Sequence, residues 1–235
     1  MTRRVVEAVV FDKDGTLFDF DATWTVWAGD TLRALGGGDA ALTARLAETM
    51  EYDLEAGAFR PTSTLIAGTL GEQAEALLAH LPGEDLDSLT ARMIDLASTV
   101  TQVEVLALRP FLAGLRGQGL KLGVATNDAE ASALAHLAAV DVAQSFDFIA
   151  GYDSGYGGKP GPGQLAAFAE AVGVAPERTL MVGDSTHDLD AARAAGMIGV
   201  GVLTGPAAQA TLEPHAAVVL PSIASLPAWI AGQGG

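Results

Sequence analysis

The chain has 235 residues, a formal net charge of −16 and a pI of about 4.4. A surface this acidic repels nucleic acids and anionic membranes, so we expect neither as a partner. Hydrophobic residues make up 49% of the chain, enough for a well-filled core, and the lack of cysteine excludes disulfides, thiolate catalysis and cysteine-ligated zinc. Asp12 and Lys13 interrupt the N-terminal apolar run too early for a signal peptide or membrane span, so we expect a cytoplasmic protein.

The N-terminal third predicts one buried strand followed by helices. The β-branched run Val5–Phe11 predicts the strand, which ends in a charged turn. Apolar residues then recur at helical spacing in four segments, Thr23–Leu35, Ala40–Tyr52, Glu72–His80 and Leu86–Val100. The breaks between them contain glycine or proline, at Gly36–Gly38, Pro61 and Pro82–Gly83.

Beyond Arg109–Pro110, short apolar strands alternate with helices. The predicted strands are Lys121–Ala125, Phe146–Ala150, Thr179–Val182, Ile198–Val202 and Ala217–Leu220. The predicted helices are Ala129–Val140, Gly163–Val172 and Ser185–Ala195, and Gly173 and Gly196 suit the C-caps of the last two. This alternation predicts an α/β fold, with a Rossmann-like three-layer core around a central parallel sheet.

The segment between the first two core strands is far longer than the single helix that usually connects parallel strands. We therefore expect an all-helical subdomain, residues 18–107, to be inserted there. The α/β core is then formed by residues 1–17 and 108–235.

Acids, a hydroxyl, an amide and a lysine follow the predicted strands. They are Asp12 and Asp14 after the first strand, Thr126 and Asn127 after the second, Lys159 before the Gly163 helix, and Asp184 and Asp188 after the Thr179–Val182 strand. Ligands of open parallel sheets bind at the carboxyl ends of the strands, so we expect these side chains to share one crevice.

The residue types in this crevice predict phosphoryl transfer. Carboxylates from two loops form an all-oxygen site that suits Mg²⁺, and without a cation such crowding would raise their pKa values. A carboxylate can attack phosphorus once a metal screens its charge. Thr126 can hold the phosphoryl oxygens, and Lys159 supplies the local positive charge that an acidic protein needs for a phosphate ester. The expected partner is therefore a small phosphorylated metabolite.

The motifs FDKDGTL, VATND, GGKPGPGQL and LMVGDSTHDLDAARAAG occur in this order. With them the chain resembles the haloacid dehalogenase superfamily, in its phosphoglycolate phosphatase-like branch with a helical C1-type cap. The resemblance implies a phosphatase that works through an aspartyl-phosphate intermediate, with Asp12 as nucleophile and Asp14 as general acid/base.

The same resemblance implies the remaining site residues. Thr126, Asn127 and Lys159 would bind the phosphoryl group, and Lys159 would also stabilise the nucleophile. Mg²⁺ would be bound by the Asp12 carboxylate, the Asp14 main-chain carbonyl and Asp184, with Asp188 in the outer shell.

Two residues depart from the family pattern. Lys13 occupies a position that is usually apolar, and Phe20 one that often carries a small hydroxyl residue. We expect neither to touch the chemistry directly. His80, His136 and His215 have no predicted partner or role.

Other polar and aromatic residues near the motifs have structural explanations. His187 is expected to be a polar loop residue at the rim of the site, and Arg60 a surface arginine. Trp24 and Trp27 are expected to pack inside the insert, and Asp128 to cap the following helix.

A sugar phosphomutase of the same family is the main alternative, since it uses the same two aspartates. A haloacid dehalogenase is disfavoured because Asp14 is present, and a phosphonate-cleaving hydrolase because residues 18–107 contain no lysine. From other classes, a receiver-like domain is opposed by the insert and the order of the acids. A non-catalytic phosphate-binding protein is opposed by the fact that every expected catalytic position is filled. The sequence leaves the substrate open, and also the choice between monomer and homodimer.

Overall fold

The computed structural model describes residues 6–60, 63 and 69–233, in which helices flank a parallel sheet. The strands of the described residues are β1 (Ala8–Phe11), β2 (Tyr52–Asp53), β3 (Ala58–Phe59), β4 (Lys121–Ala125), β5 (Phe148–Ala150), β6 (Thr179–Gly183), β7 (Ile198–Val202) and β8 (Val218–Leu220). Six of them form one parallel sheet in the order β5-β4-β1-β6-β7-β8, and β2 and β3 form an antiparallel hairpin.

The helices of the described residues are α1 (Val26–Gly36), α2 (Ala40–Thr49), α3 (Leu70–Leu78), α4 (Leu86–Ser98), α5 (Leu108–Gly117), α6 (Glu130–Ala139), α7 (Gly163–Val172), α8 (Thr186–Ala195), α9 (Gln209–Leu212) and α10 (Leu226–Gln233). A single π-helical turn, Asp21–Thr25, precedes α1. The helices α1 to α4 lie in the insert, and the others follow it in the chain.

Strand β1 is buried on both faces, which explains its continuous apolar sequence. Val9 and Phe11 pack into one hydrophobic cluster, while Ala8 and Val10 face a second cluster that contains Phe168 of α7. This is the two-residue periodicity of a strand covered by helices on both sides. The α/β three-layer core is therefore confirmed.

The strands and helices predicted after the insert are found within two residues of their predicted ends. Gly173 and Gly196 close α7 and α8 with φ of 68° and 74°, as expected of C-cap glycines. The first strand is shorter than predicted, because it begins at Ala8; Val5 lies outside the described residues. Helices α5, α9 and α10 were not predicted.

The insert is largely helical, as predicted, but it also contains the hairpin β2–β3. Its buried residues form a hydrophobic cluster of their own, which extends from Phe20 to Ala97. This separate cluster supports residues 18–107 as a subdomain, whose boundaries we retain as a proposal. Pro61, a predicted helix break, lies outside the described residues.

Candidate active site

The order of the strands brings the predicted site residues together. β1 lies between β4 and β6, so that Asp12, Thr126 and Asp184 follow three adjacent strands. The Asp12 backbone N–H donates to the carbonyl of Val182 over 2.8 Å, which extends the β1–β6 pairing to Asp12, the predicted nucleophile. The strand order also reverses at β1, and this is where open α/β sheets form their ligand crevice.

The ammonium group of Lys159 joins two of the acids. Its Nζ atom donates to Asp12 Oδ1 and to Asp188 Oδ1, each over 2.6 Å, and the Lys159 side chain is 3% exposed. Ser185 holds the second oxygen of Asp188 through its hydroxyl at 2.7 Å and its N–H at 3.0 Å. Burial lowers the pKa of Lys159, but the two carboxylates more than offset this and raise it above its ordinary value.

Asn127 positions Lys159 through the main chain. Its Nδ2 donates to the Lys159 carbonyl over 3.0 Å, and its Oδ1 accepts from the Lys159 N–H over 2.8 Å. This pair of hydrogen bonds ties the loop after β4 to the loop before α7. The predicted role of Asn127 in binding phosphate stays a prediction; the observed role is to hold the lysine loop.

Asp12, Asp184 and Asp188 form a group that can ligate a metal. One oxygen of each carboxylate lies within 4.8 Å of the others, and all three residues are buried. Burial raises the pKa of Asp12 to about 7, where Lys159 opposes the shift and Asp188 adds to it. Burial also raises the pKa of Asp184 well above its ordinary range, with Asp12 and Asp188 adding to the effect. Three carboxylates beside one ammonium group leave two negative charges, which a single divalent cation would balance.

Two glycines make room for the Asp184 carboxylate. Gly15 has φ of +77°, and a Cβ there would lie 2.5 Å from Asp184 Oδ2; a Cβ on Gly205 would also overlap this carboxyl group. The hydroxyl of Thr204 donates to the Gly15 carbonyl over 2.6 Å. The DGT turn therefore needs glycine for its backbone conformation and for the close approach of the acid.

Lys13 contacts the site directly, so the expectation that it stays apart from the chemistry was wrong. The side chain is fully buried, and Nζ lies 2.7 Å from both oxygens of Asp14 and 3.2 Å from Asp128 Oδ2. Asp128 does not cap α6, whose N-cap residue is Ala129. Burial would lower the pKa of Lys13, but the two carboxylates raise it above its ordinary value.

His136, for which no partner was predicted, connects Lys13 to the insert. Its Nδ1 lies 3.1 Å from Lys13 Nζ, and its Nε2 lies 2.8 Å from the carbonyl oxygen of Ala97 in α4. Because an ammonium group can only donate, Nδ1 accepts and Nε2 carries the proton. Burial lowers the pKa of His136 to about 4, with Lys13 adding to the shift, so the ring is neutral near pH 7. Trp24 lies against the same lysine, with Lys13 Nζ 5.3 Å from the centre of its ring. Lys13, Asp14, Asp128, His136 and Trp24 thus form one buried charge cluster.

A cavity of about 910 Å³ lies between the acids and the insert. Asp12, Asp14, Thr126, Lys159 and Asp184 line its core side. Thr126 is buried, and its Oγ1 accepts the Asp128 N–H over 3.0 Å. All predicted site residues except Asp188 thus line the cavity, and Asp188 lies directly behind them against Lys159.

The insert residues singled out in the sequence fall on the same cavity. Trp24 and Trp27 belong to the buried cluster of the insert, as expected, and they also line the cavity. Phe20 does the same. Arg60 and His187 line the cavity as well, and Arg60 makes two hydrogen bonds with Glu48 at 2.8 and 2.6 Å.

A family model described as haloacid dehalogenase-like hydrolase matches residues 6–196. The chain belongs to the haloacid dehalogenase-like hydrolases. It is 31% identical to the phosphoglycolate phosphatase of Rhodospirillum rubrum, over 95% of this chain and 90% of that enzyme. It is 40% identical to the phosphoglycolate phosphatase of Escherichia coli K12 over 94 residues, which span 40% of this chain and 37% of that enzyme's length.

Solved structures of the haloacid dehalogenase-like fold resemble this hydrolase over nearly its full length. A putative haloacid dehalogenase-like hydrolase from Bacteroides fragilis gives a TM-score of 0.73 at 22% identity, covering 94% of this chain and 99% of that one. A putative β-phosphoglucomutase from Thermotoga maritima gives 0.65 at 21% identity, covering 97% and 99%. These likenesses confirm the fold. In the described part of the chain, each helix is too short or too polar to cross a membrane.

Replacement of Lys13 tests the buried charge cluster of this hydrolase. We expect Lys13→Met to lower the free energy of unfolding by about 3–5 kcal/mol, because Asp14 and Asp128 lose their buried counter-ion. Urea denaturation followed by circular dichroism measures this change. The matched control is Lys121→Met, which removes a 51% exposed lysine 3.7 Å from Asp147 and should cost less than about 1 kcal/mol. Equal losses in the two variants would show that the cluster does not stabilise the fold.

Proposed function

We propose that this chain is a Mg²⁺-dependent phosphatase that hydrolyses a small phosphate monoester through an aspartyl phosphate on Asp12. The observation that carries the proposal is the buried contact of Lys159 with Asp12 and Asp188, next to Asp184. An ammonium group beside a nucleophilic carboxylate and a group of metal-ligating oxygens is what phosphoryl transfer requires. The phosphoglycolate phosphatases among the relatives support the same reaction class.

The donor atoms of the site fit Mg²⁺. The ion would be bound directly by the carboxylates of Asp12 and Asp184 and by the main-chain carbonyl of Asp14. Asp188 would lie in its outer coordination shell. When bound, Mg²⁺ supplies positive charge that screens the nucleophile from the phosphate and offsets charge developing on the phosphoryl oxygens. The excess of two negative charges among the buried groups is the property of this chain that calls for a divalent ion.

Asp12 is the nucleophile in the first step. One of its carboxylate oxygens forms a bond to phosphorus while the bond from phosphorus to the leaving-group oxygen breaks. Lys159 fixes the orientation of the Asp12 carboxylate, because its Nζ atom donates to Asp12 Oδ1 over 2.6 Å. Its ammonium group also presents a fixed positive charge to the transferring phosphoryl group. Thr126, on the adjacent strand end, donates its hydroxyl proton to a phosphoryl oxygen.

Asp14 moves the protons in both steps. In the first it protonates the leaving-group oxygen, and in the second it takes a proton from the water that attacks phosphorus and releases Asp12. The side chain of Asp14 lines the cavity, and Lys13 fixes its orientation at 2.7 Å. A sugar phosphomutase would use the same residues but would return the phosphoryl group to a sugar, so release of free phosphate separates the two reactions.

The nucleophile is tested by Asp12→Asn. We expect turnover to fall by at least about 1,000-fold while the fold is kept, because the amide matches the carboxylate in shape but cannot form the acyl phosphate. Phosphate release in the presence of Mg²⁺ measures turnover, and mass spectrometry of quenched enzyme locates the phosphoryl group. Asp141→Asn, which changes an exposed acid, is the matched control and should retain full activity. Near-normal turnover of Asp12→Asn would refute the assignment.

Metal binding is tested through its effect on stability at two pH values. The pKa of Asp12 is raised from 3.8 to about 7 in the metal-free fold, so its contribution to stability is present below about pH 4 and lost as pH rises through 7. Mg²⁺ needs the ionised carboxylates. We therefore expect Mg²⁺ to raise the Tm more at about pH 8 than at about pH 5.5.

Differential scanning fluorimetry with and without Mg²⁺ measures this difference. Asp184→Asn removes one of the ligating carboxylates and should abolish the Mg²⁺-dependent shift at both pH values. An equal shift at the two pH values, or a full shift in Asp184→Asn, would contradict the proposed metal site.

A further inference from the structure

One member of the buried charge cluster, His136, has no role in the proposed chemistry, although it contacts the lysine that holds Asp14. The Lys13 ammonium group has three protons and lies next to three acceptor groups. They are the Asp14 carboxylate at 2.7 Å, Nδ1 of His136 at 3.1 Å and Asp128 Oδ2 at 3.2 Å. Because a lysine side chain is long and flexible, contacts on several sides are needed to keep its ammonium group at one place.

His136 can accept from Lys13 in only one of its two neutral tautomers, and the insert selects that tautomer. The residue is 1% exposed, so its ring nitrogens find their partners within the protein. Nε2–H donates to the carbonyl of Ala97 in α4 over 2.8 Å, which leaves the lone pair of Nδ1 for Lys13. Helix α4 packs against α6, the helix that carries His136. Contact between the insert and the core therefore determines which nitrogen faces the lysine.

The position of the Asp14 carboxylate decides how well it transfers protons. An acid must lie within hydrogen-bond reach of the oxygen that it protonates, and a displacement of about 1 Å can slow a reaction by about 100-fold. Asp14 lines the cavity, whereas the lining found within the described part of the chain includes neither Lys13 nor His136. Groups that fix Lys13 therefore act on proton transfer through Asp14, without contact to the substrate.

We propose that His136 is a positioning residue for proton transfer, which holds the Lys13 ammonium group against the Asp14 carboxylate. The Ala97 carbonyl of the insert holds His136 in the tautomer that this contact requires. The proposal rests on the proposed phosphatase function, in which Asp14 gives its proton to the leaving-group oxygen as the bond from phosphorus to that oxygen breaks. Loss of His136 impairs this proton transfer and leaves the nucleophile Asp12 intact.

Two phosphate compounds of nearly the same size test the proposal, because they differ in their need for this proton. Ethyl phosphate must be protonated on its leaving-group oxygen to avoid release of the strongly basic ethoxide, whereas acetyl phosphate releases acetate without a proton. For both, kcat/KM covers the steps up to formation of the aspartyl phosphate. The ratio of the two values does not depend on the fraction of folded protein, so a variant that is merely destabilised leaves the ratio unchanged.

His136→Phe removes both ring nitrogens and keeps a planar ring. We expect kcat/KM for ethyl phosphate to fall by about 10-fold and kcat/KM for acetyl phosphate by less than about 2-fold, since misplacing a general acid costs part of its contribution. The matched control is His80→Phe, which replaces a histidine that contacts Thr49 within the insert. It should leave both kcat/KM values unchanged.

His136→Asn separates the contact with Lys13 from the contact with Ala97. The amide oxygen of asparagine lies near the position of Nδ1 and accepts from Lys13 without any choice of tautomer, whereas the short side chain does not reach Ala97. We expect this variant to keep the wild-type ratio within about 3-fold. A change in the ratio as large as that of His136→Phe would overturn the proposal.

The two proposals fail in different ways. If the wild-type protein releases phosphate from neither compound in the presence of Mg²⁺, the phosphatase proposal is overturned, and the role of His136 with it. If both compounds are hydrolysed and His136→Phe lowers the two kcat/KM values equally, or changes neither, only the positioning role is overturned.

Discussion

The ammonium group of Lys159, held between Asp12 and Asp188 in the protein interior, is the contact on which the arrangement of the site depends. Lys159 is 147 positions from Asp12 in the chain and 29 positions from Asp188. Removing the ammonium group would leave the buried Asp12 and Asp188 carboxylates without their shared counter-ion, which makes the lysine costly to replace. With Asp184 beside them, three buried carboxylates face the single ammonium group of Lys159. The excess negative charge lies at the carboxyl end of the sheet, where a divalent ion can balance it.

Although the chain is strongly acidic, it places lysine side chains at the site. It has 29 acidic residues and three lysines, and two of these lysines, Lys13 and Lys159, are buried at the site. Lys159 contacts Asp12 and Asp188, whereas Lys13 holds Asp14 and also contacts His136. Because His136 bonds the carbonyl of Ala97 in the insert, the orientation of Asp14 is mechanically linked to the position of the insert. An acidic enzyme can thus act on an anionic ester when positive charge is concentrated at one place.

The site residues that follow the strands could be predicted from the sequence. Some of the side chains that contact them in space could not. Asp12, Thr126 and Asp184 follow adjacent parallel strands, and the topology of such a sheet forces them together whatever the loops do. The role of Lys13 was missed because its partner His136 lies 123 residues further along the chain, within an Ala-rich helix whose apolar spacing carries no sign of a polar contact. Only the folded chain places the two side chains together.

The structure of the insert was likewise predicted only in part from the sequence. Its helices follow from their apolar spacing, but β2 and β3 are two residues long, too short for a periodicity to show. Trp24 and Trp27 were expected in the hydrophobic cluster of the insert, and they are there, yet the face of that cluster is also the wall of the cavity. Membership of a buried cluster and a position on the cavity wall are therefore compatible when the cluster borders the site. Aromatic residues of the insert cluster thereby also form part of the cavity wall.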